Sequence, residues 1–384
     1  MLFLLPFLLL LAGTPAPQAG AQAGPGAAAP DLKQNIANLS SLEFPVRMQA
    51  ARLIRRAPEA QAVPALMEAA RRHSDEFVRY RALVLLTAFN DRGTRDLMRE
   101  LMKDRNDRVR EVVYKWLERN PDPQLTMQLL ASLQTEESEF VRPALVGALA
   151  ALGTDQTVQQ VLIKEIPRGL DFFRSAVIDV LGRHRAVYAI DGIVATSRLE
   201  GPLQDDALLA LGRIGGTRAT SALAEFTGGT REATQMIRAV RCLLGQMCAE
   251  HVAALATTAS SDEARTGERQ GAIDALEALA QNRNDAAFAA LLRLAKQNEL
   301  RERIAVALGS AALRQPDWVV DRIGALETAT RESVITLLKD GFDSLEEDFD
   351  EEQFFAALRA GYWRAADGST GRSLASTLIQ RLEF

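Results

Sequence analysis

Four apolar positions recur around one basic residue along most of the chain. In Phe77-Val78-Arg79, Arg108-Val109-Arg110, Phe140-Val141-Arg142 and Phe172-Phe173-Arg174 the arginines stand 31, 32 and 32 residues apart, and Val46-Arg47 lies 32 residues earlier. Apolar side chains follow at −1, +3, +6 and +7 from each anchor: Val78, Ala82, Leu85 and Leu86 in one copy, Val109, Val113, Trp116 and Leu117 in the next. That spacing puts all four on one stripe of an α-helix. Degenerate copies align on Gln204, Ile237, Arg269, Arg301 and Arg331, giving ten anchors over 284 residues. A second amphipathic segment follows each anchor helix, as in Val63 to Ala70, Val158 to Ile166 and Phe288 to Ala295. One helix pair cannot bury both of its faces, so each must stack on its neighbours.

The ends of these helices carry their own signals. Asp75, Asp107 and Asp171 precede or open the anchor helices, where an anionic acceptor satisfies free N–H groups. Gly182, Gly212, Gly245 and Gly309 fall eight residues after the anchor and are expected to terminate the helix in the left-handed conformation.

The "VR..AL..LG" pattern in a two-helix unit of this length resembles the HEAT repeats, and most of all the short HEAT-like repeats of phycobilisome lyases. Leu208-Leu209-Ala210-Leu211-Gly212-Arg213-Ile214-Gly215-Gly216 is similar to the family's turn, with Gly216 where an acid is usual. The resemblance implies an all-α, right-handed α-solenoid of about ten two-helix repeats over residues 41–339. It says little of activity, because the motif residues are structural.

Some proteins of this kind are enzymes, and their signatures are missing. The family's deoxyhypusine hydroxylases hold iron with His-Glu dipeptides, whereas His73, His184 and His251 precede Ser, Arg and Val and sit at three different repeat positions. DNA glycosylases of the family bind a polyanion, which a net charge of −5 and a pI near 5.5 do not favour. A bilin-lyase-like or other enzyme-associated role is the alternative reading, and its difficulty is compartment. No nucleophile elbow, zinc signature or phosphate loop is present, and Gly212-x-x-Gly215-Gly216 reads as a helix–helix turn. No catalytic, cofactor-binding or metal-ligating residue is therefore assigned, and no cofactor is expected.

Compartment is read from the first residues. Leu2 to Leu11 has the length of a signal-peptide apolar region and is too short to span a bilayer. Residues 1–21 are expected to be a signal peptide, with small residues at Ala19-Gly20-Ala21. Residues 22–40 are expected to be an Ala/Gly/Pro-rich tether and the start of the first helix. Thr14 stands where a lipidated Cys would be, so a non-lipidated, periplasmic or extracellular protein of a bacterial envelope is expected, with no integral membrane segment in the mature chain. Cys242 and Cys248 on one continuous helix would lie about 9 Å apart, beyond a disulfide's reach, although a break at Gly245 would bring them closer. They read as small buried fillers in preference to a partial metal site with His251.

Charge divides the array. Residues 31–185 carry 24 basic and 21 acidic side chains, and residues 186–384 carry 21 and 29. The arginines Arg47, Arg79, Arg110, Arg142 and Arg174 form a ladder expected to pair with the capping acids between repeats and so to fix the stacking angle. Positions +1 and +5 place Tyr80, Val84, Pro143 and Gly147, with Tyr114 beside them at +4, as a partner-binding strip, unless neighbouring repeats cover them. Residues 340–384 leave the repeat and carry the acidic run Glu346, Glu347, Asp348, Asp350, Glu351, Glu352; they read as a polar cap or as a docking segment for a basic partner. The function expected is a non-enzymatic scaffold that binds a protein or peptide and not nucleic acid.

Overall fold

The computed structural model describes residues 31–382 apart from 90, 200, 225, 227–230 and 345–348. The expected leader 1–21, the tether to Pro30, and Glu346, Glu347 and Asp348 of the acidic run lie outside the described residues. Within them the chain is an all-α solenoid, with 22 α-helices and no strand. Ten anchor helices stack along it: Phe44–Arg55 (α2), Glu76–Leu86 (α4), Asp107–Arg119 (α6), Val141–Ala150 (α8), Asp171–Arg183 (α10), Leu203–Ile214 (α12), Arg231–Leu243 (α14), Thr266–Gln281 (α16), Arg301–Arg314 (α18) and Thr328–Phe342 (α20). Each of the ten sequence anchors falls in one of them. Between them run the outer helices Glu59–Arg72 (α3), Thr94–Leu101 (α5), Thr126–Thr135 (α7), Gln156–Glu165 (α9), Ile190–Ser197 (α11), Gly216–Ala224 (α13), Cys248–Ser260 (α15), Asp285–Leu294 (α17) and Pro316–Gly324 (α19). Leu32–Asn38 (α1) precedes the array, and Phe349–Arg364 (α21) and Thr370–Leu382 (α22) end it.

The apolar stripe does what its spacing requires. Val78, Ala82, Leu85 and Leu86 are buried, as are Val109, Val113 and Leu117, because each anchor helix packs on the next one in sequence. The packed region starts earlier than residue 41. Helix α1 lies against α2 and α3, and Ile36 and Leu39 belong to the core, so the first helix, expected to start within residues 22–40, begins at Leu32 and is already part of the packed array.

The glycines eight residues after the anchor require a correction. Gly182, Gly212 and Gly309 lie inside α10, α12 and α18, and only Gly245 has a left-handed backbone, with φ of 76°. At Gly182 and Gly212 the role is close approach of neighbouring anchor helices. A Cβ on Gly182 would lie 2.8 Å from the backbone Cα of Ala210, and one on Gly212 would lie 3.3 Å from the Cα of Val240. Gly215 and Gly216, with φ of 74° and 80°, make the turn between α12 and α13.

The left-handed turn at Gly245 also corrects the reading of the cysteines. Helix α14 ends at Leu243 and α15 begins at Cys248, so the helix is not continuous between the two thiols. Their Cα atoms approach to 4.1 Å and the sulfurs form a disulfide joining the anchor helix to its outer helix. They are neither free fillers nor part of a metal site.

The arginine ladder is built differently from the expectation. Among Arg79, Arg110, Arg142 and Arg174, Arg174 alone takes its closest acid from the start of its own helix. Each guanidinium reaches back to a carbonyl before its own helix: Arg110 donates to Asp104 O at 2.8 Å, Arg142 to Glu136 O at 2.9 Å and Arg174 to Ile166 O at 3.2 Å. Arg47 does the same to Ser41 O at 3.0 Å. Three of them also reach forward to an acid at the end of the next outer helix. Arg79 meets Asp104 at 3.2 Å, Arg110 meets both oxygens of Glu136 at 2.8 and 2.6 Å, and Arg142 meets Glu165 at 2.5 Å. Capping acids contribute at Arg174, where Asp171 lies at 2.9 Å, and more distantly at Arg79, where Glu76 lies at 4.0 Å. One guanidinium thus ties loop carbonyls left open by the helix end to the following repeat.

Helix α21 departs from the repeat most. The buried apolar residues form two clusters, one spanning Ile36 to Ala222 and the other holding most of the apolar side chains from Met236 to Leu382. Phe349 of α21 is 2% exposed and belongs to the first cluster, whereas Phe354, Phe355 and Leu358 of the same helix belong to the second. The helix rests on α18, α19 and α22 and reaches across to α4, so it joins the two ends of a curled array.

Candidate functional site

Curling brings the C-terminal ends of six anchor helices to one place. The last residues of α6, α10, α12, α14, α16 and α18, together with Phe349 and Asp350 of α21, line a cavity of about 930 Å³. Seven lining residues are lysine or arginine, and two, Glu118 and Asp350, are acids. Cations at helix C-termini answer the partial negative charge of the exposed carbonyls. Here several helix ends converge, so those cations are concentrated on one volume, which raises the local concentration of anions.

Beneath the cavity wall a charge network crosses the array. Asp179 of α10 accepts from Arg183 at 3.1 Å, from Arg213 of α12 at 2.6 Å and from Arg314 of α18 at 3.1 Å. Arg314 is 135 residues from Asp179 in sequence, so this contact exists only because the array curls. Glu118 of α6 meets Arg183 at 2.7 Å and the His184 ring at 2.8 Å. Burial pushes the Glu118 carboxyl up, but the His184 hydrogen bond and the Arg183 charge outweigh it and bring the pKa from 4.5 to about 2. Burial likewise opposes ionisation of Asp179, and the charges of Arg314, Arg213 and Arg183 overcome it, leaving the carboxyl well below the usual range. Burial lowers the Arg213 pKa in spite of Asp179.

Both carboxyl pKa values are lower folded than unfolded. Their contribution to stability is therefore complete above the ordinary carboxylate pKa and is lost as pH falls toward about 2. Thermal unfolding followed from about pH 6 to about pH 3 should show the native Tm falling more steeply than that of Glu118→Gln, the two curves converging at low pH. Parallel curves would mean that Glu118 is not held ionised by its partners.

Two arginines on the cavity wall sit in a backbone conformation that favours glycine. Three non-glycine residues among the described ones have positive φ: Arg185 at 50°, Met247 at 43° and Arg283 at 62°. Arg185 and Arg283 both line the cavity, in the turns that follow α10 and α16. Arg283 also donates to Gln315 at 2.6 Å. A left-handed L-residue costs about 1–2 kcal/mol, which glycine would avoid.

The strip proposed from positions +1 and +5 is not an open surface. Tyr114 is 1% exposed and donates its hydroxyl to Met102 O at 3.3 Å, and Tyr80 is 7% exposed beside Phe77 and Arg108. Gly147 is buried against the Glu118 carboxylate, and Val84 and Pro143 are half-buried. The convergent surface lies at +8 and +9 instead, where Arg119, Arg183 and Arg213 recur at +9 from their anchors. A basic residue at +9 in three copies was a readable signal. Its meaning depended on curvature, which brings those helix ends together. Among the described residues no group of three or more His, Cys, Asp or Glu side chains is placed to hold a metal ion, and no helix is long and apolar enough to cross a membrane.

Residues 32–117 match the family model for HEAT repeats, and the chain carries that repeat. No curated protein matches the sequence. Among solved structures, the chain is similar to human deoxyhypusine hydroxylase in complex with glycerol, at 20% identity over 65% of this chain and 96% of that one, with a TM-score of 0.29. It is similar to the CpcE–CpcF complex of phycocyanin lyase from Nostoc sp. PCC7120, at 19% identity over 73% and 98%, with a TM-score of 0.37. It is also similar to yeast importin-β, at 12% identity over 91% of this chain and 56% of that one, with a TM-score of 0.41.

Proposed function

We propose that this HEAT-repeat solenoid is a non-catalytic scaffold of the bacterial cell envelope that holds an acidic polypeptide segment of a partner in its basic cavity. The observation that carries the reading is the pair Arg185 and Arg283. Each occupies a turn position where glycine is cheaper, and each turns toward a volume with more cations than anions. Strain kept at a site marks a side chain retained for something other than stability. Two carboxylates, Glu118 on the cavity wall and Asp179 beneath it, support a non-catalytic role. Glu118 and Asp179 are each tied to guanidinium groups and held ionised, which suits them poorly to donating a proton near neutral pH.

Two features support export: the apolar stretch Leu2 to Leu11, and the Cys242–Cys248 disulfide, a bond that persists in oxidising compartments. Fractionation with mass spectrometry of the mature N-terminus checks it. A cytoplasmic protein with an intact Met1 would remove the envelope assignment and leave the cavity unaffected.

The test of the cavity separates binding from stability. In Arg185→Gly/Arg283→Gly the left-handed strain is relieved, so the Tm should hold or rise. Binding of a fluorescent poly-glutamate peptide should weaken about tenfold and should also fall as salt rises. Unchanged peptide affinity in the double variant would refute the assignment, as would a Tm loss as large as that of a core substitution.

A further inference from the structure

Helix α21, the last but one of the described helices, already contacts an acidic-ligand surface. Asp350 of α21 meets Arg119 at 2.8 Å and Lys115 at 3.9 Å, and the Arg119 guanidinium lies 5.1 Å from the Phe349 ring centroid. Glu352, 1% exposed, meets Arg55 at 2.7 Å, and Gln353 donates to the Thr87 hydroxyl at 2.9 Å. These contacts span 231 to 297 residues of sequence. Three of the receiving groups share nearly one register: Arg55 and Thr87 stand eight residues after their anchors and Arg119 nine after its own, the positions that also line the cavity, while Lys115 stands at +5.

We infer that the C-terminal ends of α2, α4 and α6 form a docking surface for an acidic helix bearing an aromatic residue followed by carboxylates one and three positions later, and that α21 occupies this surface in cis. The inference rests on the reading of the partner as an acidic polypeptide and adds the shape of its recognition element and its competitor. Three observations fix the occupant. Phe349 inserts alone into the first apolar cluster, whereas Phe354, Phe355 and Leu358 stay with the second. The helix can therefore leave the N-terminal repeats by withdrawing one aromatic ring, two carboxylates and the Gln353 amide and by giving up the Arg55 contact with the Phe355 ring, while remaining anchored on α18, α19 and α22. The polar contacts on the N-terminal side are charge-assisted at Asp350 and Glu352, which a partner of the same pattern reproduces. The acidic helix also borders the basic cavity through Phe349 and Asp350, so release in cis and entry of a partner in trans are coupled through one surface.

The test uses the full-length chain and a labelled synthetic peptide of residues 349–364 as probe, with a control peptide in which the positions of Asp350 and Glu352 carry Asn and Gln. In the Asp350→Lys protein the cis helix faces Lys115 and Arg119 with like charge, and Asp350→Asn weakens it more gently. The native protein should bind the probe weakly, Asp350→Lys about tenfold more tightly and Asp350→Asn by an intermediate factor, with no gain for the control peptide. Adding Arg119→Glu to Asp350→Lys should abolish the gain. Equal affinity in native and Asp350→Lys proteins of equal helicity would overturn the inference, as would a gain that survives Arg119→Glu. If poly-glutamate binding still responds to Arg185→Gly/Arg283→Gly in that case, only the cis-occupancy falls. If poly-glutamate binding does not respond while the probe behaves as expected, the cavity assignment alone falls.

Discussion

Replacing Arg142 with alanine is expected to destabilise the central repeats by about 3–5 kcal/mol, the cost of removing one partner of a buried ion pair. The Arg142 side chain is 3% exposed and that of Glu165 is 9% exposed. Two carbonyls, Leu133 O and Glu136 O, accept from the same guanidinium at 2.9 Å each. The substitution leaves a buried carboxylate with Arg168 as its remaining cation, 3.5 Å from the other oxygen, and leaves both carbonyls short of a donor. Arg174→Ala provides the contrast. Its ion-pair partner Asp171 is 62% exposed and the pair spans one helical turn, so the loss should stay within about 1 kcal/mol. Hydrogen exchange at α8 and α9 reads the effect locally, which suits an array whose repeats need not unfold as one unit. Similar losses for the two variants would show that the ladder acts only through its charge and not through burial.

Phe349→Ala should have an effect of similar size and a different form. Truncating a buried phenylalanine costs about 3–5 kcal/mol where the site cannot collapse. Here the ring is the single apolar group that α21 places in the first cluster, so the chain has a route other than unfolding: the clasp opens. Far-UV circular dichroism should be nearly unchanged, while small-angle X-ray scattering shows a larger radius of gyration and the cavity loses its α21 wall. Phe354→Ala, in the second cluster, should instead loosen α21 from α20, which its ring meets edge-on through Phe342 at 5.0 Å. An unchanged radius of gyration in Phe349→Ala, with stability lost globally, would mean that the ring is an ordinary core residue.

Much of the fold was legible because periodicity is local. The stripe at −1, +3, +6 and +7 placed all ten anchor helices, and the alternation with second segments placed the outer ones. Three features were read differently because they depend on neighbours. Gly182 and Gly212 suit a helix end by residue type, yet they serve the approach of the next anchor helix, a distance no single segment contains. The ladder arginines were assigned to nearby capping acids, whereas Glu136 and Glu165, the acids they hold at closest range, lie 26 and 23 residues away. Tyr80 and Tyr114 lie off the apolar stripe of their own helices, yet packing on adjacent repeats covers those flanks as well. The acidic segment was read as a polar cap or as a docking segment for a basic partner, and its described part meets Arg55, Lys115 and Arg119, a basic surface of the same chain. That the basic surface belongs to the same chain follows from the curl of the array, a global property that small rotations per repeat determine. The cavity was hidden for the same reason.

Closure of the array by α21 is tested most directly by a zero-length carbodiimide cross-link on the dilute, monomeric protein. Lys115 Nζ lies 3.9 Å from Asp350 and 3.2 Å from Glu111. Mass spectrometry should recover the Lys115–Asp350 link beside the local Lys115–Glu111 link, and the former should vanish in Phe349→Ala while the latter remains. Recovery of the Lys115–Glu111 link alone from the native protein would contradict a closed array.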